Sequence, residues 1–209
     1  MMDNYLKFPN GLIKQEKLLY RKIDYNVDYI KKSYDSYGGL SEKMSYLRLG
    51  YLFGALSEKV DKILDVGYGN GDFLKIASGA LKEAHGAEIN GYPIPDKCVK
   101  VESFYAHDYD VVCFFDVLEH FDDIYEIKEL KTKYIYISVP ECHYFSDEWF
   151  AGWKHRKPDE HLWHFNLTSL TNFMDEIGFE KISSSNIEDS IRKPVDSNPN
   201  ILTAIFKKR

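Results

Sequence analysis

Cysteine is scarce in this chain: three residues in 209, Cys98, Cys113 and Cys142, odd in number and far apart. That argues against a disulfide framework and suits reduced thiols in a cytoplasm. Long apolar runs are missing too. The longest, from Val111 to Phe115, falls far short of the ~20 residues that a membrane span needs, so no membrane role is expected. The opening "MMDNYLKFPNGLIKQEK" lacks the continuous apolar core of a signal peptide. There is no basic excess either. Lys and Arg number 27 against 33 Asp and Glu, a net charge of −6 with a pI near 5.7, which counts against a face that tracks a phosphate backbone and so against nucleic acid as a partner. Neither an internal repeat nor a low-complexity tract is present. With 44% hydrophobic residues, a chain of this length can bury one core without staples.

Residues 1–60 read mostly as helices forming an N-terminal cap, broken at "YGGLS", with Leu40, Met44, Leu47, Tyr51 and Ala55 at helical spacing. Beyond them strands and helices alternate. The candidate strands are 62–66, 83–88, 99–102, 111–115, 134–139, 180–186 and 201–206, and helices are expected to start near Asp72, near Asp122 and at Thr168, which can cap. Such alternation predicts an α/β fold, a mostly parallel sheet with helices on both faces. The last two strands are joined by "IEDSIRKPVDSNPN", which has no helical pattern, so they are expected to pair as an antiparallel hairpin. Residues 141–165 form an insertion longer than an ordinary connection.

The stretch "ILDVGYGNGDFLKIA" places Gly67, Gly69 and Gly71 directly behind a buried strand and ahead of a helix. A dinucleotide fingerprint would want a small residue where Asp72 stands, and it does not call for Asp65. The pattern D-x-G-x-G-x-G resembles motif I of the class I S-adenosylmethionine-dependent methyltransferases. The resemblance spans 62–206: "GAEI" puts Glu88 at the second strand's end, "YDVVCFFDVLEHFDD" resembles the family's fourth strand with Asp116 and the following Leu-Glu-His, and "YIYISVP" its fifth. It implies a Rossmann-like sheet of seven strands ending in an antiparallel hairpin, S-adenosylmethionine as cofactor, and a cofactor site at Asp65, Gly67, Tyr68, Gly69, Gly71, Glu88 and Asp116. S-adenosylmethionine carries no phosphates, so the bend must offer close approach and helix N–H groups rather than cationic charge. Glu88 would accept the ribose hydroxyls. Asp116 has a second reading as a helix cap. The adenine contact falls to Glu102, Ser103 or Phe104, because "VESFYA" departs from the usual third-strand ending.

Ligands in this architecture lie beyond the carboxyl ends of the strands, where residues 34–41, 116–123 and 141–165 should meet. The last of these gathers four of the seven histidines and all three tryptophans, and is expected to fold as an aromatic lid over a small-molecule acceptor such as a sugar or another hydroxyl or amine metabolite. His120, His161 and His164 are the leading candidates for a general base, with His155 a further one. Each has a plainer reading as a solvated or structural histidine. "KHRK" at 154–157 reads as a solvated face or as a clamp for an anionic acceptor. The H-x-x-H of His161 and His164 has no paired cysteines or diagnostic third ligand, so no metal is expected. An alternative of another class is a non-catalytic cofactor-binding module whose aromatic loop is a partner surface. S-adenosylhomocysteine at a hundredfold excess over its dissociation constant is expected to stabilise the protein by about 2.7 kcal/mol, and NAD not at all; a thermal-shift screen in which NAD alone acts would reverse the assignment.

Overall fold

In a computed structural model the described residues are 4–20, 39–89, 91–194 and 197–209. A seven-stranded sheet runs through the centre. Its strands are β3 (Lys62–Val66), β4 (Glu83–Ala87), β5 (Val99–Lys100), β6 (Tyr109–Phe115), β7 (Thr132–Pro140), β9 (Phe179–Ser185) and β10 (Ile201–Lys208), in the order β5-β4-β3-β6-β7-β10-β9. The pairs from β5 to β7 are parallel, whereas β10 runs antiparallel to both β7 and β9. The expected terminal hairpin is therefore present. Its connection holds a short 3-10 turn, Ile187–Ser190, which the Pro- and Asn-rich sequence does not signal.

The central strands are apolar throughout because both faces of the sheet are covered. Leu64, Val112, Phe114, Ile135 and Ile137 pack on one side, and Ile63, Val111, Cys113, Phe115 and Tyr136 on the other. Helices α1 (Leu40–Ala55) and α2 (Asp72–Ala80) bury Leu49, Leu52, Phe73 and Leu74 against the second face. A later helix, Leu167–Glu176, buries Leu170, Phe173 and Met174 against the first. Its cap is Asn166 rather than Thr168: Asn166 Oδ1 accepts from Ser169 N at 2.8 Å while Ser169 Oγ accepts from Asn166 N, a reciprocal capping box that Thr168 has no geometry to make. Near Asp122 the chain forms a 3-10 helix, Ile124–Glu129, capped by Asp123.

The N-terminal region departs from the expected helical cap. Strands β1 (Tyr5–Lys7) and β2 (Ile13–Gln15) form a hairpin, and β2 also pairs with β8 (Trp163–His164) to make a second, three-stranded sheet. The turn is "PNG", with Gly11 at φ +90° and Asn10 Oδ1 accepting from Leu12 N, a hairpin signal that the periodicity count passed over. Among the described residues of this region only α1 is a long helix, since residues 21–38, including the first two of "YGGLS", lie outside them. Between Asp147 and Gly152 runs α3, and the helix Leu167–Glu176 is α4.

One ionic cluster ties these parts together. Glu188 has no exposed surface and accepts from Arg48 Nε at 2.8 Å, from Ser138 Oγ at 2.7 Å and from Arg192 at 3.2 Å. Arg192 and Arg48 also reach Asp116, at 2.7 and 3.4 Å. Arg48 lies over the Phe115 ring, 4.2 Å from its centroid. Burial opposes its charge, but the carboxylates of Glu188 and Asp116 hold it protonated. Removing Glu188 leaves two largely buried arginines short of a counter-charge. Glu188→Ala is therefore expected to lower the unfolding free energy by about 3–5 kcal/mol, read from the shift of the urea midpoint at constant slope.

Candidate functional site

At the carboxyl ends of β3, β4 and β6 lies a cleft of about 1400 Å³. One end of it is the glycine bend. Gly67, Gly69 and Gly71 all take positive φ, +71°, +56° and +78°. A Cβ on Gly67 would sit 2.5 Å from Val117 Cγ2, and one on Gly71 would sit 2.5 Å from Pro95 Cγ. Gly71 is the left-handed N-cap of α2, so the chain enters the helix with its first N–H groups turned toward the bend. Glu88 closes the bend: its Oε2 accepts from Gly69 N at 3.0 Å and its Oε1 from Ile89 N at 2.8 Å.

Asp65 stands beneath the bend on the cleft wall, buried, with its Oδ1 lacking a hydrogen-bond partner among the described residues. Burial pushes its carboxyl up to about 8, opposed by Arg48 and reinforced by Glu88. An orphaned buried acceptor beside a glycine cradle fits a cationic amine. The side chain of Tyr68 does not face the site. Its ring packs against Gly86, where a Cβ would fall 2.5 Å from it, and its hydroxyl donates to Tyr92 O at 2.5 Å. Tyr68 thus enters the cleft wall while its side chain belongs to the core. Glu102 and Phe104 line the cleft, and Ser103 does not.

Asp116 is at the cleft edge, in a left-handed conformation with φ +56°. It does not cap the following turn, whose N-cap is Val117 without a side-chain bond. Burial alone would raise its pKa, but the Arg192 and Arg48 charges outweigh it and hold the carboxyl below the usual range. The positive φ redirects the chain into the 3-10 turn Leu118–His120, which delivers Glu119 and His120 to the cleft.

The opposite wall comes from the insertion. Leu162 N donates to Glu119 O at 2.7 Å, Trp163 Nε1 donates to Phe121 O at 2.9 Å, and His120 Nδ1 donates to Glu160 O at 2.7 Å. These three bonds brace the insertion against the turn and bring the His161 ring to 4.8 Å from that of His120. His164 points away. It is buried among Tyr5, Phe150 and Trp153 and lines no part of the cleft, and burial drives its pKa down to about 3. The pairing of β8 with β2 turns His164 into the second sheet's core, whereas His161 precedes the strand and stays on the cleft wall.

The insertion is therefore a two-sided wall rather than an aromatic lid. Trp149, Phe150 and Trp153 pack on Tyr5 and Ile13 of the hairpin, while Lys154, His155, Lys157, Glu160 and His161 face the cleft. "KHRK" divides the same way, with Arg156 turned back over the Tyr5 and Phe150 rings at 5.2 and 5.6 Å. Lys157 pairs with Glu160 at 2.8 Å. Burial lowers the pKa of His120 and drives that of His161 well down, and it takes His155 to about 4. Glu119, 1% exposed, is pushed well up by burial and then by the Asp116 charge. Sequence reasoning touched Glu119 only as part of a motif, and it missed Arg48 and Arg192. The spacing of Glu188 and Arg192, i and i+4, was the available signal for the latter.

A methyltransferase-domain family matches residues 41–184. No curated protein matches at a significant level. Among solved structures, the magnesium protoporphyrin IX methyltransferase of Synechocystis PCC 6803, with bound S-adenosylhomocysteine, is 12% identical over 88% of this chain and 96% of its own, with a TM-score of 0.62. The plantazolicin methyltransferase BpumL, in complex with a triazolic desmethylPZN analogue and S-adenosylhomocysteine, is 15% identical over 87% of this chain and 90% of its own, with a TM-score of 0.61.

The raised pKa of Asp65 has a signed consequence. An unfolded carboxyl titrates near 3.9, so between there and about 8 the ligand-free native state alone holds the proton. Stability is fullest below that window and falls by about 1.4 kcal/mol per pH unit as pH rises through it. Asp65→Asn is expected to remove this slope, read as the difference in melting temperature between wild type and variant from pH 4.5 to 9. A pH-independent difference would show that the carboxyl is ionised.

Proposed function

The chain belongs to the methyltransferase-domain family, in its class I, S-adenosylmethionine-dependent form, and from that premise we propose that it methylates a hydroxyl of a small polar acceptor held in the cleft. The observation that carries this is the division of the cleft into two unlike ends. The glycine bend, Asp65 and Glu88 suit the cofactor, whereas the corner of Glu119, His120 and His161 suits the acceptor's nucleophilic atom.

At the first end, the bend admits the methionine portion against the backbone, Asp65 Oδ1 takes the amine, and Glu88 takes the ribose diol while holding Gly69 N. Gly67 and Gly71 let Val117 and Pro95 pack directly on the bend, and Asp116 borders the cleft between its arginines. When bound, S-adenosylmethionine supplies a methyl group on a sulfonium, transferable by in-line displacement. At the other end, His120 and His161 present neutral rings at pH 7, as either a proton acceptor or a ligand must. Lys154 and Lys157 on the far wall favour an acceptor with acidic or polar substituents. Three unpaired cysteines support a reducing compartment, a cytoplasm. Among the described residues no helix is long and apolar enough to cross a membrane.

The test is a panel of sugars, phenols, hydroxy acids and amines incubated with S-adenosylmethionine, with S-adenosylhomocysteine formation as the readout. Turnover confined to amines, or none on any acceptor despite tight cofactor binding, would overturn the reading. Glu88→Ala is expected to weaken S-adenosylhomocysteine binding by roughly 1.5–3 kcal/mol by calorimetry, and unaltered affinity would place the ribose acid elsewhere.

A further inference from the structure

Glu119, His120 and His161 each offer a ligand atom, and these atoms lie within 4.8 Å of one another on the cleft wall. Two features set this cluster apart from a chance meeting of side chains. Both oxygens of the buried Glu119 lack a hydrogen-bond partner among the described residues, an arrangement that costs free energy unless something charged or hydrogen-bonding sits beside it. His120, moreover, commits Nδ1–H to the Glu160 carbonyl. That bond sets the tautomer and leaves the lone pair on Nε2, as an outer-shell carbonyl does for a metal-bound histidine. Two imidazoles and one carboxyl group on a single wall form a donor set suited to first-row divalent ions such as Mn²⁺, Co²⁺ or Zn²⁺.

We propose that Glu119, His120 and His161 bind one divalent transition-metal ion per chain, and that its open positions receive the acceptor's hydroxyl oxygen. The sequence expectation of no metal rested on pairing His161 with His164. The fold separates those two and joins His161 to His120 instead. The role for the ion rests on the reading that this end of the cleft holds the acceptor. There, the acceptor hydroxyl gives its proton to solvent, its oxygen forms the bond to the methyl carbon, and the electron pair of the breaking carbon–sulfur bond stays on sulfur. The two histidines then act by holding the ion and not by taking the proton.

The experiment uses the tag-free full chain, stripped with chelator and desalted, and titrated by calorimetry with Mn²⁺, Co²⁺ and Zn²⁺ in turn; the visible spectrum of the Co²⁺ form is recorded as well. One saturable site per chain is expected, with a Co²⁺ spectrum of mixed nitrogen and oxygen ligation. Glu119→Gln and His161→Ala should each weaken it by more than the roughly 10- to 100-fold that losing an outer-shell partner costs, while His164→Ala leaves it unchanged. S-adenosylhomocysteine affinity and melting temperature, measured on every variant, separate a lost ligand from a lost fold. No saturable binding of any of the three ions would overturn the proposal, and so would equal binding by folded Glu119→Gln. Loss of cofactor binding by the wild type would instead break the reading of the cleft and leave the ion titration to be judged on its own.

Discussion

Glu188 is a carboxylate with no route to solvent, and the molecule is organised around satisfying it. Arg48 comes from α1, Ser138 from β7 and Arg192 from the connection between β9 and β10. Each is remote in sequence from at least one of the others, so the ion cluster forms only when the sheet, the first long helix and the terminal hairpin are all in place. Buried pairs of this kind contribute little net stability over apolar packing, but they discriminate strongly against arrangements that leave a member unpaired. The same arginines grip Asp116, and the grip holds it in its left-handed conformation at the end of β6. From there the turn to Glu119 and His120 follows. A charge buried for the fold thus sets the direction of the chain at the site.

The two walls of the cleft are held by different means. The bend is fixed by local geometry, with glycines at positive φ, a helix start, and Glu88 bonded back to Gly69. The insertion is fixed from behind. Asp159 accepts from Gln15 Nε2, Leu19 N and Tyr20 N, and its own N–H donates to Gln15 Oε1. Aromatic packing fills the space between insertion and hairpin. Because the aromatics are used in that way, the surface that the insertion turns to the cleft is polar.

Elements governed by local patterns were legible in the sequence. "KILDV", "YDVVCFF" and "YIYISVP" read as buried strands because strands covered on both faces are apolar without alternation, and the glycine bend with Asp65 and Glu88 declared its place by spacing. Elements governed by distant partners were not. Strands β1 and β2 are three residues each and gain their meaning from β8. His161 and His164 looked equivalent in "EHLWHF", and only that pairing sends one to the cleft and the other to a dry aromatic pocket. The cap falls on Asn166 and not on Thr168 because the apolar rhythm alone leaves the helix boundary open by a residue or two.

The second sheet joins Ile13 to His164 and Lys14 to Trp163, about 150 residues apart in the chain. On a ribosome, where synthesis proceeds at ~5–20 residues per second, β1 and β2 emerge and then wait for about 150 further residues before their partner strand exists. Closing so long a loop belongs to the slow part of folding. The parallel strands β3 to β7, which carry the glycine bend, all precede β8 and can begin to pair while that wait continues; β9 and β10 follow it. The glycine bend is therefore synthesised before the wall bearing His161, and Arg192, which grips Asp116 at the start of the turn to His120, follows both; a nascent chain holds the elements of its cofactor bend before the rest of the cleft exists.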